Sequence, residues 1–379
     1  MKVGFAARFS PLDKRSWSGT NYYAYQQIKK YNEVEIFHYK WTWLLREWLT
    51  MQKSMNRRIF KKRTSVEFLK TYSKYFSKQL EQDLEKRKVD LLFVPASSQL
   101  IAFLETKIPI IYMTDATFYQ LQGYYPNFTN LAEYNIKQGV ALDKMAFEKA
   151  SHLILGSEWN KISAINDYGI DPGKISVLPC GANLDLIPGH DDLNGTGSDQ
   201  CRLLFLGVEW ERKGGDIALE SFRLLNKKGV NAHLHIVGCS PPQDLSHEKN
   251  ISVIPFLDKN KTEDFQQLQE ILLQTDFLLL PTRAECAGVV FSEASAYGIP
   301  SIATETGGVR TYVQDGVNGY ALPFVANAND YAETISNLYY DKSGLKELKK
   351  TCREYYDSKL NWDLWGKRFQ EIAEKIISS

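Results

Sequence analysis

The sequence has no uninterrupted apolar run near the ~18 residues that a membrane-spanning helix needs, and its mean hydropathy is −0.34. It carries no excess of either charge. Lys and Arg number 46 against 45 Asp and Glu, which argues against a dedicated nucleic-acid binder, whose usual footprint is a basic surplus. The five cysteines (180, 201, 239, 286 and 352) are odd in number and form no C-x-x-C pair. They read as free thiols in a reducing compartment, neither a disulfide framework nor a zinc site. The opening MKVGFAARFS lacks the apolar stretch and small-residue cleavage site of a secretory signal, so the expected location is the cytoplasm. No G-x-G-x-x-G follows a strand candidate, which argues against a nicotinamide or flavin enzyme. No D-x-D follows one either, and no catalytic metal is expected. His233 and His235 alternate in a strand candidate without Cys or carboxylate at matching spacing, and read as sheet residues.

What is present is alternation. Of the 379 residues, 44% are hydrophobic, enough for a sizeable core, and the length fits two domains. Short apolar runs at 2–7, 34–39, 90–95, 108–114, 152–156 and 175–179 alternate with helical stretches that begin after Gly19 and span about 65–88 and 129–149. Residues 184–200 combine Pro, three Gly and several Asp and Asn without periodicity, and read as a linker. Alternation resumes with runs at 202–207, 232–238, 251–256, 276–281 and 300–304. Strand-then-helix order means parallel sheets covered on both faces. The expected fold is α/β: two doubly wound parallel-sheet domains, 1–185 and 200–345, facing a central cleft. Ligands of such sheets bind beyond the carboxyl ends of the strands.

The richest segment is 276–319. A strand ends at Pro281, Glu285 follows in the loop, Gly288 opens a helix through about Tyr297, and Glu293 lies within it. The amides of Gly288, Val289 and Val290 and the positive helix end suit a phosphate. Glu285 would lie beside the group attached to that phosphate, and Glu293 would accept from a hydroxyl-bearing ligand such as a ribose. TGGV (306–309) is a second strand-to-glycine turn, where Gly307 and Gly308 permit close backbone contact with a diphosphate or sugar. Singly, each carboxylate reads as a surface group and each glycine as a turn; together they favour a site.

The E-x7-E pair of Glu285 and Glu293, the G-x-P at 298–300 and the TGG…DGxNG run resemble retaining glycosyltransferase family 4, of the GT-B fold. FLGVEWERKGG (205–215), SGTNYYAYQQI (18–28) and SEWNKISAINDYGIDPGKISVLPCGAN (157–183) fit the same resemblance, which covers nearly the whole chain. It implies two Rossmann-like domains, with an acceptor domain at 1–185 and a donor domain at 200–345. The last helix, 360–379, returns to the first domain through Trp362, Trp365 and Phe369. It also implies transfer of a hexosyl group from a nucleoside-diphosphate sugar to an acceptor hydroxyl, with retention and without metal or other cofactor. The acceptor would be a glycan, a lipid-linked compound or a small molecule. Glu285 would contact the donor sugar and its reacting face, with Gly307 and Gly308 nearby. Glu293 would bind the ribose, and Lys213 the diphosphate together with the Gly288–Val290 amides. Gly19, in the first glycine loop, would lie near the donor phosphate; its other reading is a turn before a helix. A GT-B epimerase or phosphorylase, or a non-catalytic binding scaffold, would share the diphosphate contacts.

The chain also departs from the family pattern. Val208 stands where the family often has Arg, and Arg212 either supplies that charge or is simply solvated. Ala287 replaces a usual Phe. Asp115 stands where the family often has His: it is either the acceptor's base or the N-cap of a helix near Ala116. Residues 39–63 carry eight Lys and Arg, one Glu and three Trp. This composition suits peripheral contact with an anionic membrane surface. The other reading is a helical pair whose Trp and Leu face the core.

Overall fold

The computed structural model describes residues 1–39, 41–193 and 199–378. Residues 194–198 of the expected linker, Lys40 of the basic segment and the terminal Ser379 lie outside the described residues. The chain divides into two compact units, Met1–Leu178 with Trp365–Ser379, and Pro179–Leu364.

In the first unit, β1 (Lys2–Ala6), β2 (Glu33–Phe37), β3 (Leu91–Pro95), β4 (Ile110–Thr114), β5 (His152–Leu155) and β6 (Ile175–Val177) form one parallel sheet in the order β2-β1-β3-β4-β5-β6. In the second, β7 (Cys201–Leu206), β8 (Ala232–Val237), β9 (Ile251–Ile254), β10 (Phe277–Leu280), β11 (Ser301–Thr304) and β12 (Gly319–Leu322) run β12-β11-β10-β7-β8-β9, again with every pairing parallel. Every residue of β3, β4, β10 and β11 is buried. This is why their sequences are continuous apolar runs, whereas the edge strands β2 and β9 are only partly covered. Eleven strands match the apolar runs read from the sequence. The twelfth, GYAL, is four residues opened by a glycine, too short to register as a run.

The strand orders show one reversal of winding in each sheet. From β7 the chain winds outward through β8 to β9, then returns to lay β10 on the other side of β7, with Leu278 beside Leu204. That reversal parts the loops after β7 and β10, and makes the crevice beyond their carboxyl ends the natural ligand position. In the first sheet the same reversal falls between β1 and β3.

Trp365 and Phe369, one helical turn apart on Trp362–Ser378, stack at 5.5 Å and 13°. Both meet Phe93 of β3 edge-on, at 6.0 and 5.3 Å. Asn32 donates to Gln370 at 2.8 Å beside them. Trp362 does not share this face. It belongs to the second unit, where its indole N–H donates to Asn183 at 2.9 Å, so the expected three-residue docking surface reduces to Trp365 and Phe369.

The basic segment forms one helix, Trp43–Ile59, capped by the Thr42 hydroxyl at Leu45 N. Only Leu49 and Asn56 are buried. Leu44, Trp48, Met51, Met55 and Ile59, spaced along one helical stripe, are exposed, Leu44 by 71% and Ile59 by 65%. Of the two readings of this segment, the one that turns its Trp and Leu to the core fails for most of them. Among the described residues no helix is long and apolar enough to cross a membrane.

Phe369 is fully buried at a three-ring contact. Phe369→Ala should lower the unfolding free energy by about 3–5 kcal/mol, measured by chemical denaturation. A change below 1 kcal/mol would contradict the packing described.

Candidate functional site

At the reversal of the second sheet, the loop leaving β7 carries Arg212 and Lys213, and the loop leaving β10 carries Glu285. The Lys213 ammonium donates to Glu285 Oε2, and both residues are buried, at 8% and 6% exposure. Two features shape this pair. Gly214 follows Lys213 with φ at +76°, and a Cβ there would lie 2.0 Å from the Pro281 carbonyl oxygen. Only glycine lets the two loops approach so closely. The loops are also tied through the backbone, since Arg283 N donates to Arg212 O at 2.7 Å. Gly214 then opens the helix Gly215–Lys227.

Arg212 is not a solvated side chain. It is 13% exposed, donates to Glu209 at 2.9 Å and to the Ala284 carbonyl at 2.9 Å, and lies 3.9 Å from Glu285. Two cations therefore face one buried carboxylate, and Glu209 pairs with the outer of the two, Arg212. The TGG turn is part of the same cluster: Gly308 N donates to Glu285 O at 2.9 Å, and Gly307 has φ +52°.

Glu293, 4% exposed on the helix Val289–Ala296, has its own partner. Lys259, in the loop after β9, donates to it at 2.5 Å and to the Asn183 carbonyl at 3.3 Å. Sequence reasoning missed Lys259, one of several lysines in a polar loop; only its position after a strand sets it apart. Gly288 precedes this helix without a side-chain cap. Of the three amides expected there, Val289 N is bonded to Ala287 O at 2.8 Å.

In the first unit, Trp17, Ser18 and Gly19 are three consecutive residues with positive φ, at 50°, 55° and 95°. Positive φ is costly for Trp and Ser, and such strain gathers at functional loops. The Trp17 indole donates to Asp115 at 3.3 Å. Asp115 is not a helix cap: Thr117 caps the turn Phe118–Leu121 in a reciprocal box with Gln120. Thr117 therefore fills the capping role that the sequence offered to Asp115.

Asp143 also escaped the sequence reading. It is 3% exposed and accepts from Ser98 Oγ at 2.5 Å and from Phe118 N at 2.6 Å, joining the loops after β3 and β4. A lone Asp among the apolar positions of a helix was the available signal.

Residues 200–341 match the family model described as glycosyl transferases group 1. The D-inositol 3-phosphate glycosyltransferase of Corynebacterium kroppenstedtii is 23% identical over 255 residues, covering 62% of this chain and 55% of the relative. That of Mycolicibacterium smegmatis is 29% identical over 211 residues, covering 52% and 47%. The chain thus spans about half the length of the curated relatives it matches. Sucrose-phosphate synthase from Thermosynechococcus elongatus superposes with a TM-score of 0.72 at 17% identity, over 100% of this chain and 99% of that one. Anabaena HepE, solved with UDP and glucose, gives 0.66 at 15% identity, over 99% and 100%.

Burial pushes the Asp143 carboxyl up to about 6, against the opposing effect of its two hydrogen bonds. The folded chain thus binds a proton that the unfolded chain has released, and stability falls as pH rises from the ordinary carboxyl range through about 6. Two pH units correspond to about 3 kcal/mol. The neutral Asp143→Asn should escape this loss, so the melting temperature of the wild type relative to the variant should drop by several degrees between pH 4 and 7. A constant difference would contradict it. On the likeness of its two parallel-sheet units to these solved enzymes, the chain has the GT-B glycosyltransferase fold.

Proposed function

We propose that the chain is a retaining glycosyltransferase that moves a hexosyl group from a nucleoside-diphosphate sugar to an acceptor hydroxyl. The observation that carries this reading is the buried Lys213–Glu285 pair at the switch point of the second sheet, with Arg212 beside it and the Gly307–Gly308 turn bonded to the Glu285 backbone. An arriving diphosphate would take over the Lys213 ammonium, a compact point charge suited to phosphate. Glu285 would then be released toward the sugar hydroxyls. Lys213 and Arg212 would stabilise the charge that develops on the leaving diphosphate as the glycosidic bond breaks. Glu293, oriented by Lys259, would accept from the ribose. Asp115, held by the Trp17 indole, would act on the acceptor side as base or as partner to the oxocarbenium-like sugar. The acceptor would attack from the face the diphosphate leaves, its proton passing to Asp115 where Asp115 is the base and to the departing phosphate oxygen where it is not. On this reading Lys213 and Arg212, released from their carboxylates, would supply the countercharge without a metal.

The relatives named for inositol phosphate, and a neighbour solved with UDP and glucose, support a nucleotide-sugar donor and a polyhydroxyl acceptor. The exposed apolar stripe and basic residues of Trp43–Ile59 support peripheral contact with an anionic membrane surface, which co-sedimentation with anionic vesicles at low salt would test.

A thermal-shift panel of UDP, GDP, ADP, CMP and dTDP and their sugar conjugates tests the donor assignment. One nucleotide at 100 times its dissociation constant should add about 2.7 kcal/mol, a rise of several degrees, and Glu293→Gln should reduce that rise. Proton NMR of the product should then show the donor's anomeric configuration retained. No shift with any nucleotide, or an inverted product, would refute the proposal.

A further inference from the structure

A pocket of about 830 Å³ lies in the first unit, lined by Lys53, Arg57, Lys61, Lys62 and Arg63 on one wall and by residues 127–130 on the other. We infer that this pocket binds the phosphoryl group of a phosphate- or pyrophosphate-bearing acceptor. The inference rests on the glycosyltransferase reading only in calling that ligand the acceptor.

Three observations carry it. The first is charge. Five cations line the pocket, and its one carboxylate, Glu67, is already engaged by Arg8 at 3.1 Å. Among the described residues none of the five has a carboxylate within ion-pair distance. Like charges gathered in a concave site repel one another, and a multivalent anion relieves that repulsion where scattered surface lysines would need none.

The second is construction. Lys61 and Asn130 both have positive φ, at 50° and 56°, and the Asn130 side-chain amide donates to the Lys61 carbonyl at 3.0 Å. Arg63 bridges the segment around Leu131 through two backbone bonds, Arg63 N to Asn130 O and Ala132 N to Arg63 O, each 2.9 Å. Lys62 donates to the Asn130 side chain at 2.9 Å, and the Arg63 guanidinium to the Pro126 carbonyl. Asn130 thus ties the Lys61–Arg63 backbone to the opposite wall, and the Lys62 and Arg63 side chains bond across to residues 126–130.

The third is place. Arg8, which holds Glu67, lies two residues beyond the end of β1. The walls come from the chain that leaves β2 and β4. This is the carboxyl edge of the first sheet, the edge that also carries Asp115 and Gly19, and it is where ligands of such sheets bind. The volume exceeds a lone phosphate and admits a phosphorylated sugar or a pyrophosphate with its substituent.

The test is calorimetric titration of the full chain carrying Lys213→Ala, which silences the diphosphate contact of the second unit. The probes are a hexose 6-phosphate and octyl phosphate, each beside its uncharged parent, hexose and octanol. Both phosphates should bind and neither parent should. Adding Arg57→Ala and Lys61→Ala should weaken binding at least tenfold, and raising salt should weaken it as well. Arg57→Lys with Lys61→Arg should keep it, which separates lost charge from lost folding. Tighter binding of octyl phosphate would identify a lipid phosphate, and equal binding a soluble one. Absence of phosphate binding, parents that bind equally well, or affinity indifferent to the charge-removing pair would overturn the inference. A failed donor assignment would show separately, as wild-type protein that binds no nucleotide.

Discussion

The burial of one lysine against one glutamate organises the second unit. Lys213 and Glu285 come from loops that meet only because the sheet reverses between β7 and β10, and they touch only because Gly214 has no side chain to strike the Pro281 carbonyl. Removing two charges from water is costly, and a buried pair is weak evidence for stability. Its presence at the position where a doubly wound sheet receives ligand is better explained by exchange. On the proposed reading, the carboxylate would hold the ammonium in place until a phosphate replaced it. Arg212, held by Glu209 and the Ala284 carbonyl, places a second cation beside Glu285, and the Glu293–Lys259 pair repeats the arrangement one helix away.

The first unit is built on the same plan, with strained backbone where the second has an ion pair. Trp17, Ser18 and Gly19 hold left-handed conformations after β1, and the Trp17 indole bonds to Asp115 after β4. Asp143 ties the loops after β3 and β4 together from below, at the cost of a buried carboxyl that gives up its proton late. Edge residues held by several independent contacts keep their geometry when a ligand arrives, which the proposed transfer between two substrates would require.

Much of this was legible in the sequence, because buried parallel strands are apolar runs and glycines mark the loops after them. Glu285, Glu293, Lys213 and the TGG turn could be singled out because each follows such a run at a spacing that brings it to one edge. Their partners were less visible. Nothing in DKNK distinguishes Lys259 until β9 and the helix Val289–Ala296 bring it to Glu293. The role of Arg212 depends on a carbonyl 72 residues away in sequence. The fate of the Trp43–Ile59 stripe stayed open between two readings, because periodicity shows that a helix has an apolar face without showing whether anything covers it. Trp362 was misplaced for a related reason: its spacing fits the helix face of Trp365, yet its indole N–H is claimed by Asn183.

The most direct measurement is the dissociation constant of the nucleoside diphosphate for the wild type, Lys213→Met and Glu285→Gln, with transfer assayed in parallel. If the ammonium is exchanged from carboxylate to phosphate, Lys213→Met should weaken binding about a hundredfold, the loss of a charge-assisted contact of ~3 kcal/mol. Glu285→Gln, which frees the lysine, should bind the diphosphate as tightly as the wild type or more so, while losing transfer. Equal affinities for all three proteins, or loss of diphosphate binding in Glu285→Gln alone, would contradict the account.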